Sequence, residues 1–142
     1  MKLLLQTDGG SRGNPGPAAY GYVVYDQSKV TSNSGAGIIL EKCGKYLGVA
    51  TNNHAEYMGL LEGVAWVVQN YPRATLEIKM DSLLIVNQIK GLYKVKSPDL
   101  LPKFLEVRGL LKLLPQWSIS HTYREGNSLA DSLVNEALDS HI

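Results

Sequence analysis

Four carboxylates in this 142-residue chain are of a type and spacing that could do joint chemistry: Asp8, Glu56, Asp81 and Asp131. Each alone has an ordinary structural explanation. Asp8 precedes Gly9 and Gly10 and could simply open a turn. Asn53 could cap a helix, with Glu56 three residues on in a capping box. Asp81 follows an alternating apolar stretch and could cap the helix after it. Asn127 could cap the last helix, leaving Asp131 near a first turn where the helix dipole favours an acid. Taken together they read differently. Four acids gathered at one sheet edge would repel, and some would hold protons at neutral pH unless a cation neutralised them. Mg²⁺ takes carboxylate and water oxygens and leaves positions for phosphate. Two such ions about 4 Å apart can activate a water and stabilise the leaving oxygen of a phosphodiester. That chemistry needs acids on rigid elements and no covalent nucleophile, and the chain offers no Ser–His–Asp or Cys–His arrangement.

The elements that must carry these acids follow from pattern. Residues 1–8 read as a strand, and 9–17, rich in Gly and Pro, as a turn. A second strand spans 19–25 around Val23, Val24 and Tyr25, and 29–35 is a polar hairpin connection. A third strand lies within 36–49, with a bend expected near Gly44. From Ala55 the period changes: Met58, Leu61, Ala65 and Val68 mark a helix, with Pro72 beyond its end. Residues 75–81 alternate as a strand, and 84–89 suit a helix stopped by Gly91. A longer amphipathic helix is expected over 100–114, closed by Pro115, then a strand over 117–123. Leu129, Ala130, Leu133, Val134, Ala137 and Leu138 form the apolar face of a final helix. The order β-β-β-α-β-α-α-β-α predicts an α/β fold. Its five-stranded mixed sheet is antiparallel through the first three strands, parallel after, and flanked by helices. Right-handed crossovers bring the strands ending at Asp8 and Asp81 side by side, at the edge where ligands gather in such sheets.

Composition sets the class. With 44% hydrophobic and 19% charged residues, the chain reads as a soluble globular protein in a single domain over 1–142. Its apolar runs fall well short of the ~18 residues of a membrane span, so no membrane partner is expected. The opening Met1-Lys2-Leu3-Leu4-Leu5 is too short and too soon polar for a signal peptide. Cys43 is the only cysteine, which excludes an internal disulfide and fits the cytoplasm. With three histidines beside it, a structural zinc site is not expected. Net charge is +1, but between Lys90 and Lys112 six basic residues face two acids, a local +4 that could serve as a phosphate footprint or be a solvated helix face. Nothing suggests an apolar surface stripe, so a monomer without an obligate protein partner is expected.

Four blocks carry a family resemblance. Residues Thr7-Asp8-Gly9-Gly10-Ser11-Arg12-Gly13-Asn14-Pro15-Gly16-Pro17-Ala18 resemble the opening signature of the type 1 ribonuclease H family. Thr51-Asn52-Asn53-His54-Ala55-Glu56, Asp81-Ser82, and Tyr123-Arg124-Glu125-Gly126-Asn127-Ser128-Leu129-Ala130-Asp131 resemble its second, third and fourth blocks. The first two are highly specific, the third alone is weak, and together they run over nearly the whole chain. The likeness is to the compact prokaryotic type, without an extra basic handle helix or a separate hybrid-binding domain. It implies a ribonuclease H-like fold. The implied activity is sequence-independent endonucleolytic hydrolysis of the RNA strand of an RNA–DNA hybrid, leaving 5′-phosphate and 3′-hydroxyl ends. Asp8, Glu56, Asp81 and Asp131 match the metal-binding acids for two Mg²⁺ ions, with Mn²⁺ as a substitute. Glu56 would also face a ribose 2′-hydroxyl. Asn14 and Thr51 would hold a DNA phosphate, and Asn52 would lie nearer the RNA groove. Arg12, Gly13 and Asn53 belong to the same substrate-facing loops, and Lys94 and Lys96 would meet the DNA backbone. Either His121, ten residues before Asp131, or Arg124 would take the role of the family's mobile-loop histidine. Leu83 stands where some members carry a polar residue near the RNA.

Other readings remain beside this one. A module of the same fold could bind hybrid or double-stranded RNA without cutting, although a non-catalytic binder has no reason to keep like charges together. A junction resolvase and a purely structural domain fit the first two blocks poorly.

Overall fold

The computed structural model describes residues 1–29 and 37–141. The hairpin connection expected over 29–35 lies, from residue 30 on, outside the described residues. Strands form where β-branched and aromatic residues alternate: β1 (Lys2–Ser11), β2 (Gly16–Asp26), β3 (Ile38–Ala50), β4 (Thr75–Met80) and β5 (Gln116–His121). Helices α1 (Asn52–Asn70), α2 (Leu83–Ile89), α3 (Leu101–Leu111) and α4 (Ser128–Asp139) follow the three-to-four-residue apolar spacing. The sheet order is β3-β2-β1-β4-β5. β2 is antiparallel to β1 and to β3, while β4 is parallel to both β1 and β5. This is the mixed sheet expected from the element order.

Alternation along β1 divides the core. Leu3 and Leu5 are fully buried in the cluster that holds Tyr57, Leu60 and Val64 of α1, Ile85 and Ile89 of α2, and Leu111 of α3. Leu4, between them, packs with Val23, Tyr25 and the α4 residues Leu129 and Leu133. Each large side chain withdrawn from water contributes on the order of 2 kcal/mol, so the strand that carries Asp8 is held from both faces.

Several boundaries differ from expectation. β1 runs on through Gly9 and Gly10 to Ser11, pairing Gly9 with Tyr20 and Gly10 with Ala19, so the turn is shorter than 9–17. Gly44 of β3 pairs in register with Gly21, and the register shifts lie opposite Ala18/Ala19 and Val24/Tyr25. α1 starts earlier than Ala55: Thr51 is the cap, its hydroxyl accepting from the His54 N–H at 3.2 Å. Glu56 is therefore past the capping-box position. α3 ends at Leu111 because the Leu113 and Leu114 amides bond three residues back, to Leu110 and Leu111, tightening the last turn. β5 ends at His121, and Tyr123 lies beyond it, exposed, before a 3-10 turn over Arg124–Asn127.

Candidate active site

The parallel register brings two acids together. Thr7 of β1 pairs with Met80 of β4, so the residues that follow, Asp8 and Asp81, emerge side by side at the carboxyl ends of neighbouring strands. The innocent role suggested for Asp81 falls to its neighbour: Ser82 caps α2, its hydroxyl accepting from the Ile85 N–H at 3.3 Å. Glu56 arrives through close packing. A Cβ on Gly9 would lie 2.3 Å from the Ala55 carbonyl carbon and 2.5 Å from the Glu56 nitrogen, so only glycine lets α1 sit directly on β1 there. Asp131 arrives by the same device on the other face. Gly21, the β2 partner of Asp8, lies so close to α4 that a Cβ would meet the Ala130 carbonyl oxygen at 2.7 Å. Asp131 is the next residue in the first turn of α4.

Ligand oxygens of Asp8, Glu56 and Asp81 lie within 4.8 Å of one another. Asp131 stands at the rim, close enough for its carboxyl to interact with that of Asp8, and accepts from Asn135 Nδ2 at 3.4 Å. Burial raises the Asp8 carboxyl from its ordinary 3.8 to about 7, helped by the charge of Asp81 and the contact with Asp131. Glu56 is raised well above the usual carboxylate range, by burial first and then by the charges of Asp8 and Asp81. Burial also raises Asp81, with the charge of Asp131 adding to it, while its own backbone N–H first, then the Arg124 guanidinium and His121, pull it back down. The Gly9 backbone N–H works against the rise at both Asp8 and Glu56. One oxygen of Glu56, Oε1, is buried without a hydrogen-bond partner. Crowded acids that retain protons and an unpartnered buried carboxylate oxygen fit a hard divalent cation, which would replace the protons and take that oxygen as a ligand.

The acids line a cleft of about 450 Å³ that also presents Gly9, Gly10, Ser11, Arg12, Asn52, Asn53, Ser82, Arg124 and Asn135. A second depression of about 380 Å³ shares Asn52 and Asn53 with it and adds Asn14, Thr51, His54, Ser97, Asp99 and Leu100. The opening turn of α1 is thus a ridge between two hollows. Hydrogen bonds hold that ridge. The Asn52 side-chain oxygen accepts from the Ser11 N–H at 2.8 Å and the Ser11 hydroxyl at 3.0 Å. The Asn14 side-chain oxygen accepts from the Asn52 backbone N–H at 3.0 Å. Gly13, at φ +97°, makes the left-handed turn that presents Asn14. A larger depression, about 620 Å³, opens at the amino ends of the strands beside Lys2, Leu111 and Trp117, and contains one carboxylate, Glu77.

Other expected residues separate. Arg12 reaches back to Asp139 at the end of α4, Nη2 to Oδ1 at 2.6 Å, tying its loop down. Arg124 lines the cleft; His121 does not line it and packs edge-on against Tyr123 with ring centres 5.4 Å apart. Lys94 and Lys96 are exposed on the connection between α2 and α3, next to Ser97. Ser97 was not singled out from sequence. It reaches the second depression only through that connection, 45 residues from Asn52, and no local pattern marks it. Asn127 holds the cap position of α4 without a side-chain cap bond, and donates instead to the Thr7 carbonyl.

No helix among the described residues is long and apolar enough to cross a membrane. Residues 6–137 match the family described as Reverse transcriptase-like. A bifunctional protein of Mycobacterium tuberculosis is 39% identical over 98% of this chain, and ribonuclease HI of Halobacterium salinarum is 41% identical over 93% of it. The chain spans 36% of the length of the first and 62% of the second. The crystal structure of LC11-RNase H1 in complex with an RNA/DNA hybrid superposes with a TM-score of 0.88 at 38% identity, covering 99% of both chains.

Proposed function

Because the chain belongs to the type 1 ribonuclease H family, we propose that it is a metal-dependent endonuclease that hydrolyses the RNA strand of RNA–DNA hybrids. The observation that carries this reading is the cluster of buried Asp8 and Glu56 with half-buried Asp81, and its unpartnered Glu56 oxygen. Asp8 and Asp81 would be the ligands nearest two ions, with Glu56 and Asp131 completing the set. Divalent ions bound there, Mg²⁺ with Mn²⁺ as a substitute, supply acidity to a water and charge stabilisation to the leaving oxygen. Hydrolysis adds the water oxygen to phosphorus and breaks its bond to the 3′ oxygen, so the products carry 5′-phosphate and 3′-hydroxyl ends. Strands β1 and β4 hold two of the acids rigidly, which limits reorganisation as charge develops.

The ridge explains how a hybrid would be read. The side-chain oxygens of Asn14 and Asn52 are occupied internally, which leaves their N–H groups to face the surface. The Thr51 hydroxyl accepts from His54 and keeps its own hydrogen to donate. Such donors suit phosphate oxygens in the second depression, where a DNA strand would lie beside Ser97 and near Lys94 and Lys96. The RNA strand would take the acidic cleft, with its 2′-hydroxyls toward Glu56 and Asn52. A hybrid offers hydroxyls on one strand only, so one hollow reads ribose and the other a plain backbone. Arg124 lines the cleft beside Asp81 and in this reading would meet the scissile phosphate. Double-stranded RNA is a second candidate substrate, and binding without cutting is the competing reading. Incubation of strand-labelled hybrid, double-stranded RNA and double-stranded DNA with Mg²⁺ distinguishes them. Cutting of the RNA strand of the hybrid, at many sequences and with 5′-phosphate ends, is expected; tight binding with no cleavage under Mg²⁺ or Mn²⁺ would sink the enzymatic reading.

A further inference from the structure

Two side-chain hydrogen bonds cross from the 3-10 turn before α4 back to β1. Asn127, fully buried, donates from Nδ2 to the Thr7 carbonyl at 2.7 Å. Gln6 donates from Nε2 to the Gly126 carbonyl at 3.2 Å. They run in opposite senses between two adjacent residue pairs, Gln6–Thr7 and Gly126–Asn127, and so form a two-point clamp. At the strand end of the clamp the next residue is Asp8. At its other end the turn carries Arg124, and the first turn of α4 carries Asp131. An Asn at a helix cap ordinarily turns its oxygen to the helix N–H groups. Here the carboxamide faces inward and its Oδ1 is buried without a partner. That arrangement gives up cap stability and strands a polar atom, while making the shorter of the two bonds that join the halves of the site.

We infer that Asn127, with Gln6 in support, is a positioning residue that fixes Arg124 and Asp131 against Asp8 and thereby sets the affinity of the site for divalent ions. This rests on the metal-dependent reading above. The role is specific to the donor: Asn127→Asp keeps the size but sets a carboxylate against a carbonyl oxygen, and so breaks the clamp.

The test uses the whole chain with Mn²⁺ as the probe, titrated calorimetrically without nucleic acid, alongside amide hydrogen exchange and Mg²⁺-dependent hybrid cleavage. Asn127→Ala and Asn127→Asp are expected to weaken Mn²⁺ binding and lower kcat by roughly ten- to a hundredfold, as losses of partners that orient metal ligands do. Amides of residues 124–131 should exchange faster. Gln6→Leu, at a half-buried position, should act in the same direction more weakly, and it carries the test if the Asn127 variants fail to fold. Adding Asn127→Ala to Asp131→Asn should cost no further Mn²⁺ affinity, because both remove the same ligand's contribution. Unchanged Mn²⁺ binding in the folded variants, with only a lower melting temperature, overturns the inference, as does full additivity. If the wild type cuts no duplex, the enzymatic reading fails, and the clamp is still decided by the Mn²⁺ isotherms.

Discussion

Replacing the central acid should stabilise the metal-free protein while abolishing its proposed chemistry. Asp8 is raised from 3.8 to about 7 in the folded chain, chiefly by burial. A raised acid favours the folded state while it keeps its proton. The penalty is absent below about pH 4, grows as pH rises, and is complete above about pH 7. A shift of about three units at about 1.36 kcal/mol each gives on the order of 4 kcal/mol. Part of that strain remains at Glu56, which stays buried near Asp81, so about 2 to 4 kcal/mol should be relieved by Asp8→Asn at pH 8. For a chain of this length that corresponds to roughly 5–15 °C in Tm. The assay is thermal unfolding of wild type and Asp8→Asn in EDTA across pH 4 to 8, read as the difference between the two curves. That difference should be near zero at pH 4 and favour the variant increasingly up to pH 8, and saturating Mg²⁺ should raise the wild-type Tm and shrink it. A difference that is flat with pH, or that favours the wild type at pH 8 without metal, would refute the picture of a buried acid raised by desolvation and by its neighbour's charge.

Three further outcomes follow from the same geometry. The Mg²⁺ concentration for half-maximal cleavage should rise as pH falls below about 7, because protons compete with the ion for Asp8; a metal requirement independent of pH between 6 and 8 would count against it. Arg124→Ala should lower kcat on hybrid by about ten- to a hundredfold, whereas His121→Ala should have a much smaller effect, since only Arg124 lines the cleft; steady-state kinetics giving the reverse order would return the role to His121. Gly9→Ala should cost about 3 kcal/mol or more, because its Cβ would meet the α1 backbone at 2.3 Å; a melting curve like the wild type's would mean that α1 does not rest on β1 there.

The mixed sheet, the adjacency of the strands ending at Asp8 and Asp81, and the gathering of acids there were legible because they depend on long-range pattern: alternation at 75–81, helical spacing from Ala55, and acids at strand ends. What was misread depends on partners far away in sequence. Gly9 and Gly10 look like a turn by composition, but Gly9 is glycine because α1 lies against it, and both pair across to β2. Asn53 reads as the cap from its spacing to Glu56, but Thr51 caps α1, and Asn52 beside it is held to the distant loop by its bonds to Asn14 and Ser11. Asn127 sits at a cap position and spends its amide on β1, which only the packed sheet reveals. Ser97 joins the second hollow through the α2–α3 connection, which carries no periodicity to place it.

The most direct test is single-turnover cleavage of a labelled RNA–DNA hybrid by wild type, Asp8→Asn, Glu56→Gln and Asp81→Asn, with hybrid binding measured in parallel. The three variants should bind hybrid about as well as the wild type and lose roughly 10²- to 10³-fold in cleavage rate, the scale expected when a group stabilising transition-state charge is removed. Cleavage persisting near the wild-type rate in Asp8→Asn, or a wild type that does not cut hybrid at all, would contradict the assignment of this acid cluster as a hydrolytic metal centre.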